Sequence, residues 1–314
     1  MSINHVTAKE TVLYEGTYGE VFEAVNGKGE PLVIKKFKSG REFNYKESFI
    51  VSSLSRKQKS NSYVSRFVKV WSPGGLPKGL VFHREKMNLA KFLNENRDLS
   101  IEKVKDFSMQ LLKALAFLKK NGVVHADIKP ENILVSEDTS IIRVADFGLA
   151  FFAKESQRLR SVQTLYYRSP EVILGDMSYG YPIDIWSVAS IVIELFMGQV
   201  LFMWPEETQI FAAQLRFFGR AFPLDSMGSF SKAAVDRFFA QYLKSTLIPS
   251  WEDAVASKRP EGSQSFIDFV GKFFKFEHQE RVTPDEALLD VFLVGSPPEE
   301  PAAKKQRVDS TVFL

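Results

Sequence analysis

Along the first third of the chain the apolar positions fall in short runs. Between residues 11 and 37, Val, Leu, Tyr, Phe and Ile cluster in groups interrupted at Gly16, Gly19, Gly27 and Gly29, a pattern that predicts antiparallel strands joined by turns. The spacing changes over 42–57, where Phe43, Phe49, Ile50, Val51 and Leu54 sit among Lys, Arg, Glu and Ser and predict one helix. Two more short runs, Phe67 to Trp71 and Leu80 to Phe82, flank the turn-rich stretch SPGGLPKG. The first 85 residues therefore read as mostly sheet with a single helix.

After residue 85 the period becomes helical. Ser100 is placed to cap a helix in which Val104, Phe107, Leu111, Leu115 and Leu118 recur every three or four residues, and Asn121-Gly122 supplies its stop. Further helices are expected over 183–197, 206–218, 263–275 and 284–291. The last opens with Thr283 three residues before Glu286 and Pro284 in the first turn, a capping box. From Ser296 onward, three prolines in six residues and then a basic cluster predict a disordered tail. The expected organisation is α+β: a sheet-rich lobe over 1–85, a larger helical lobe over 86–293, and a tail over 294–314.

Composition narrows the chemistry. With 45% hydrophobic and 25% charged residues the chain is apolar enough to fold. The formal charge of +3 is slight for 314 residues, so no global attraction to nucleic acid or an anionic membrane is expected. Cysteine is absent, which excludes disulfides, thiolate-held metals and thiol catalysis, and four His leave little for a His-rich metal site. The stretch SVASIVIELFMGQVLFMW at 187–204 is interrupted by Glu194 and Gly198 and reads as a buried helix followed by a loop. The first ten residues lack the apolar core of a secretion signal, so a soluble intracellular protein is expected.

Several short motifs carry chemistry when taken in order. Phosphoryl transfer to a hydroxyl needs a Gly-containing turn over the triphosphate, a Lys to reach the phosphates and a Glu to hold that Lys. It also needs an Asp to take the hydroxyl proton, and a second Asp with an Asn to hold Mg²⁺. YEGTYGEVF at 14–22 offers Gly16, Gly19 and Val21, and VIKKF puts Lys35 on the next strand. Glu47 lies on the helix that follows, with Glu42 as an alternative on the same helix. HADIKPEN supplies Asp127, Lys129 and Asn132; ADFGLA supplies Asp146; RSPE at 168–171 and DIWS at 184–187 complete the order. Singly, these fragments are ordinary turns and surface charges. Asp and Asn five residues apart around a Pro, leading into an apolar run, are hard to explain by packing, and the ordered set across about 140 residues is harder still.

Over residues 10–293 this set resembles the eukaryotic protein kinases. The resemblance implies a bilobal fold and use of ATP and Mg²⁺. Lys35 would pair the α and β phosphates and Glu47 would hold Lys35. Asp127 would be the catalytic base, Lys129 would neutralise the transferred phosphate, and Asn132 and Asp146 would hold Mg²⁺. The D-I-K-P-E-N context resembles a Ser/Thr-type loop. Glu171 and Arg281 would form a buried ion pair, and Asp184 would bond the catalytic-loop backbone. Phe82 falls at the gatekeeper position, with His83 to Glu85 as the hinge whose backbone meets adenine. HRE there departs from the usual acidic-then-apolar hinge, and Tyr14 replaces the first glycine of the nucleotide loop.

Ala126 is a further departure, because many kinases have there an Arg that grips a phosphate on the activation loop. Such replacement is similar to that in the CMGC branch holding the dual-specificity tyrosine-regulated, homeodomain-interacting, Cdc-like and Prp4-type kinases. SVQTLYYRSPEVILG at 161–175 resembles their activation segment, except that Ser161 stands where their self-phosphorylated Tyr lies and Leu165 replaces an Arg. Either Ser161 is phosphorylated, or the segment is ordered without phosphate. Thr164 follows in the same segment. The resemblance implies that Arg168 shapes a pocket favouring Pro after the acceptor Ser or Thr. Lys154, Arg158 and Arg160 make the loop basic, either as a solvated surface or as a seat for acidic substrates.

No cyclin-binding helix pattern is visible in 42–57. PAAKKQRVD at 301–309 resembles a nuclear import signal, implying an import receptor as partner and residence in nucleus and cytoplasm; a solubilising terminus is the plainer alternative. Two rival functions stay open at this point. One is a kinase-fold scaffold without turnover, supported by Tyr14, Ala126 and the unusual hinge. The other is nucleic-acid binding through the tail, which the modest charge disfavours.

Overall fold

The computed structural model describes residues 6–15, 19–37, 44–155, 162–218, 251–260 and 263–295. The first strands are β1 (Val6–Glu15), β2 (Gly19–Asn26) and β3 (Pro31–Phe37), followed by helix α1 (Tyr45–Lys57), β4 (Phe67–Trp71) and β5 (Gly79–His83). They form one antiparallel sheet in the order β1-β2-β3-β5-β4. Register sets Val21 opposite Lys35 and Val33 opposite Phe82. Leu32, Ile34 and Val81 bury one face of this sheet, while α1 buries Ile50, Val51 and Leu54. The helix starts at Tyr45 because the Asn44 side chain accepts the Glu47 amide at 2.9 Å. Positions 42 and 43 lie outside the described residues.

A short strand β6 (Met87–Asn88) leads into α2 (Leu89–Glu95) and the long α3 (Ile101–Lys120). The predicted cap is present, with Ser100 Oγ accepting the Lys103 amide at 3.2 Å. The predicted apolar stripe from Val104 to Leu118 is buried. Strands β7 (Val123–Val124), β8 (Ile133–Val135), β9 (Ile142–Val144) and β10 (Phe151–Phe152) build two small sheets, β6-β8-β9 and β7-β10, on top of this helix. These short strands carry the candidate chemistry at their ends.

The remaining described elements are α4 (Pro170–Ile173), α5 (Pro182–Met197), α6 (Glu207–Phe218), α7 (Trp251–Lys258), α8 (Ser263–Gly271), α9 (Pro284–Ala287) and α10 (Val291–Val294). Helix α5 is buried almost all round, its few polar side chains included, and sits inside the helical lobe, with Trp186 stacked near Phe202 and edge-on to Phe274. It stops at Gly198, whose φ of 72° and contact with the Arg97 carbonyl leave no room for a side chain. None of the described helices is long and apolar enough to cross a membrane.

Two expectations are corrected. The helix predicted over 263–275 ends at Gly271. The helix predicted over 284–291 is two short helices, α9 and α10. Thr283 and Glu286 form the predicted capping box, but Asp290 then caps a second helix by accepting the Phe292 amide at 2.9 Å. Lys272 fixes that carboxylate at 2.6 Å, so the chain breaks where the charge is anchored.

Candidate active site

Lys35 projects from β3 beneath the sheet. Its ammonium lies 2.6 Å from Glu47 Oε1 on α1 and 2.7 Å from Asp146 Oδ1, which follows β9. Burial alone would depress the lysine; the two carboxylates outweigh it and hold Lys35 above its ordinary value. Burial works against ionisation of Asp146 as well, yet the Lys35 charge and the Gly148 amide keep its carboxyl below the usual range. Asp146 sits at φ 63°, an uncommon backbone for a non-glycine residue, and its side chain is 40% exposed to the cleft. Glu42, the alternative partner of Lys35, lies outside the described residues.

Asp127 occupies the turn between β7 and β8. Its carboxylate accepts Asn132 Nδ2 at 2.9 Å and the Thr164 hydroxyl at 2.8 Å, with Lys129 Nζ at 3.2 Å. Lys129 also donates to Thr164 Oγ1 at 2.7 Å, which ties the segment from 162 to 169 to the loop from 125 to 132. Asn132 also donates to the Asp127 carbonyl, so its amide is oriented and its oxygen remains an acceptor.

The loop rests on buried groups. His125 is fully buried, and its Nδ1 accepts the Asp127 amide at 3.2 Å. Its proton therefore sits on Nε2, which donates to the Ala145 carbonyl at 3.0 Å. Asp184 accepts the amides of His125 at 2.7 Å and Ala126 at 2.9 Å, as expected of a carboxylate that fixes this backbone. Ala126 has φ 64° and is fully buried among Val124, Phe151, Val162, Tyr179 and Ile183. The position at which an Arg would grip a phosphate is an apolar plug.

Beyond Thr164 the segment is held by Gln163, at φ 61° and 3% exposed. Its side-chain amide donates to the Ile183 carbonyl and Ser187 Oγ, both at 2.8 Å, and its side-chain oxygen accepts the Ser169 amide and hydroxyl, both at 3.0 Å. Its main-chain carbonyl is taken by Arg168, through Nη2 at 2.8 Å and Nε at 3.2 Å, while Arg168 Nη1 meets Glu207 at 2.8 Å. Beneath, Arg281 grips Glu171 through two bonds of 2.6 and 2.7 Å. The Tyr167 hydroxyl donates to Glu194 at 2.7 Å, and burial lifts that carboxyl to about 7.

A model of the protein kinase domain matches residues 8–293. The chain belongs to the protein kinase family. Among its relatives, cyclin-dependent kinase 20 of Danio rerio is 31% identical over 294 residues, covering 90% of this chain and 82% of that protein. Serine/threonine-protein kinase ppk5 of Schizosaccharomyces pombe is 30% identical, covering 93% of this chain and 36% of that protein. Serine/threonine-protein kinase AFC2 of Arabidopsis thaliana is 29% identical over 88% of this chain and 74% of that protein.

Protein kinase domains work with ATP and Mg²⁺, and the donor set of this kinase domain fits both. Mg²⁺ is a hard cation that takes one or two carboxylates together with phosphate oxygens rather than an all-protein cage. Among the described residues no three His, Asp or Glu side chains form a metal-holding group, whereas Asp146 and the Asn132 oxygen offer the partial set that phosphates would complete. Gly19 packs so tightly on the Lys36 carbonyl that a Cβ would collide, so β2 hugs β3 at its first residue. Val21 on β2 and Phe82 on β5 flank β3 in the sheet and are both half-buried, with Phe82 edge-on to Phe67 at 5.6 Å. Gly16 and Ser161 lie outside the described residues, as do Arg158 and Arg160.

Sequence reasoning missed the part played by Gln163 and the carboxylate of Glu85. A polar residue embedded in the activation-segment pattern was the available signal for the first. For the second there is none, because the hinge position implies a role for the Glu85 backbone, whereas its side chain binds Arg66 at 3.1 Å and Arg143 at 3.0 Å.

Proposed function

We propose that this chain is a protein serine/threonine kinase that transfers the ATP γ-phosphate to Ser or Thr and favours acceptors followed by Pro. The observation that carries the reading is the Asp127 carboxylate, held by Asn132, Lys129 and Thr164 and separated by one short hairpin from the Lys35–Glu47–Asp146 group. Asp127 takes the proton of the acceptor hydroxyl as its oxygen bonds phosphorus and the bond to the β-phosphate oxygen breaks. Lys129 offsets the charge of the transferred group. Lys35, steadied by Glu47, meets the α and β phosphates. Asn132 and Asp146 would hold Mg²⁺, which supplies charge neutralisation at the phosphates. Gly16, Gly19 and Val21 cover the nucleotide, with Phe82 at its back. Of the hinge amides from 83 to 86, three donate to protein carbonyls: His83 to Arg66, Arg84 to Pro31 and Lys86 to Val135. The remaining N–H, that of Glu85, is the one assigned to adenine. Relatives named as serine/threonine kinases support the acceptor class.

The preference for Pro follows from Gln163 and Arg168. The Gln163 carbonyl is already occupied by a guanidinium, so an N–H on the residue after the acceptor would lose water without gaining a partner there. Proline has no N–H to strand. Paired Ser-Pro and Ser-Ala peptides test this. A kcat/KM at least about tenfold higher for Ser-Pro, shrinking in Arg168→Ala, is expected for one unpaired donor. Equal values for the two peptides in the wild type would sink the preference.

The plug around Ala126 favours a segment ordered without phosphate. Helix α1 reaches the same segment directly, through Lys46 to Glu155 at 2.7 Å and Phe49 edge-on to Phe152 at 5.9 Å. We assign the chain to the branch whose activation segment it resembles, with lobes over 1–85 and 86–293. The basic cluster of 301–309 in the 294–314 tail, outside the described residues, is assigned to nuclear import; loss of nuclear signal from a fluorescent fusion lacking 296–314 tests that.

A further inference from the structure

The reading of the Glu85 amide as the adenine contact raises the question of what holds that amide in place. Hinges in a two-lobed protein are exposed connectors free to adjust φ and ψ, and this one is instead clamped by charge. Glu85 Oε1 receives Arg143 Nε at 3.0 Å and Arg66 Nη2 at 3.1 Å, so two guanidiniums from opposite sides share one oxygen. The Glu85 and Arg143 side chains are only 7% and 11% exposed. Removing either cation would leave this enclosed carboxylate short of a partner it cannot replace with water.

The two arginines come from different lobes. Arg66 immediately precedes β4 of the upper sheet, and its carbonyl accepts the His83 amide at 3.0 Å. Arg143 lies on β9 of the lower lobe, three residues before Asp146. The segments also touch through backbone: Val144 N–H donates to the Tyr63 carbonyl at 2.9 Å and Ser65 N–H to the Val144 carbonyl at 2.8 Å. Burial, and then the Arg66 charge, hold His83 below its ordinary value, so it adds no competing cation at neutral pH. Arg84 points elsewhere, to Glu23 on β2 at 2.8 Å.

We infer that Glu85 is a nucleotide-positioning residue: its carboxylate, held by Arg66 and Arg143, fixes the hinge amide at a set place relative to β9, the strand that leads to Asp146. The inference rests on the kinase reading above. It makes the unusual HRE hinge a device for adenine affinity, since the Glu side chain is turned into the protein and its backbone toward the ligand.

The test separates the adenine end from the phosphate end of the ligand. Affinities of the full chain for adenosine, for ATP with Mg²⁺ and for inorganic tripolyphosphate are measured for wild type, Glu85→Gln, Arg143→Met and Arg66→Met, with kcat and KM for ATP on a Ser-Pro peptide. Loss of charge-assisted bonds at a buried site should weaken adenosine and ATP together by about tenfold or more in Glu85→Gln and Arg143→Met, with kcat and tripolyphosphate affinity within about twofold. The half-exposed Arg66 should give a smaller loss of the same kind. A double variant, Glu85→Gln with Arg143→Met, should be no worse than the poorer single one, because the pair acts as a unit. Should Glu85→Gln fail to fold, Arg66→Met still reads the effect. Unchanged adenosine affinity in variants that fold, or a parallel fall in tripolyphosphate affinity, overturns the inference while leaving the kinase reading intact. A wild type that binds neither adenosine nor ATP overturns both.

Discussion

Replacing Arg281 with Met should be among the most damaging single changes available in the helical lobe. The guanidinium is fully buried and makes four bonds: two to Glu171 at 2.6 and 2.7 Å, one to the Pro182 carbonyl at 2.9 Å and one to the Lys275 carbonyl at 2.9 Å. It also lies over the Trp186 ring at 5.0 Å. Methionine keeps the apolar stem against Trp186 but strands the Glu171 carboxylate, which is 5% exposed. Breaking a buried pair from one side costs about 3–5 kcal/mol, because a desolvated charge is left without its partner. At about 2–4 °C of midpoint shift per kcal/mol that corresponds to a fall in Tm of roughly 6–20 °C. Thermal and urea unfolding of wild type, Arg281→Met and the double variant with Glu171→Gln would measure it. Neutralising Glu171 removes the stranded charge, so the double variant should recover more than half of the loss. A single variant that loses under about 1 kcal/mol, or a double variant as unstable as the single, would refute the reasoning.

Other outcomes follow from the same contacts. Glu194 is lifted from the ordinary carboxylate value of 4.5 to about 7, so the folded chain holds an extra proton between those values and its stability should fall as pH rises from about 4.5 to 7. The full span is worth about 3 kcal/mol, and Glu194→Gln should flatten that part of the profile; an unchanged slope would assign it to another group. Ser161→Ala should retain activity within about twofold, because the residues around Ala126 offer a phosphate only apolar contact; loss of activity in a peptide assay would mean that a phosphate is received elsewhere.

Much of this architecture was legible in the sequence because it depends on local rules. The helical period of Val104 to Leu118, the Ser100 cap and the Thr283–Glu286 box need no knowledge of the rest of the chain. The break at Leu288 to Asp290 was not legible, since it depends on Lys272 reaching Asp290 from another segment. In the site, the order of Lys35, Asp127, Asn132 and Asp146 pointed to the chemistry. The choice of Glu47 over Glu42 turned on where Asn44 caps α1 and how the helix packs under the sheet. Gln163 and the Glu85 clamp escaped altogether. Their partners, Ser187, Ser169, Arg66 and Arg143, are brought near only by the assembled lobes, and no pattern of spacing encodes them.

The central claim is that Asp127 acts on the acceptor hydroxyl and not on the nucleotide. Transfer of labelled phosphate from ATP with Mg²⁺ to a degenerate Ser/Thr peptide library, compared between wild type and Asp127→Asn, tests it most directly. The account predicts transfer by the wild type and a loss of at least about a hundredfold in the variant, consistent with removal of a general base, while both proteins are stabilised equally against heat by ATP and Mg²⁺. Full activity in Asp127→Asn would contradict it, and so would a wild type that ATP stabilises but that transfers no phosphate.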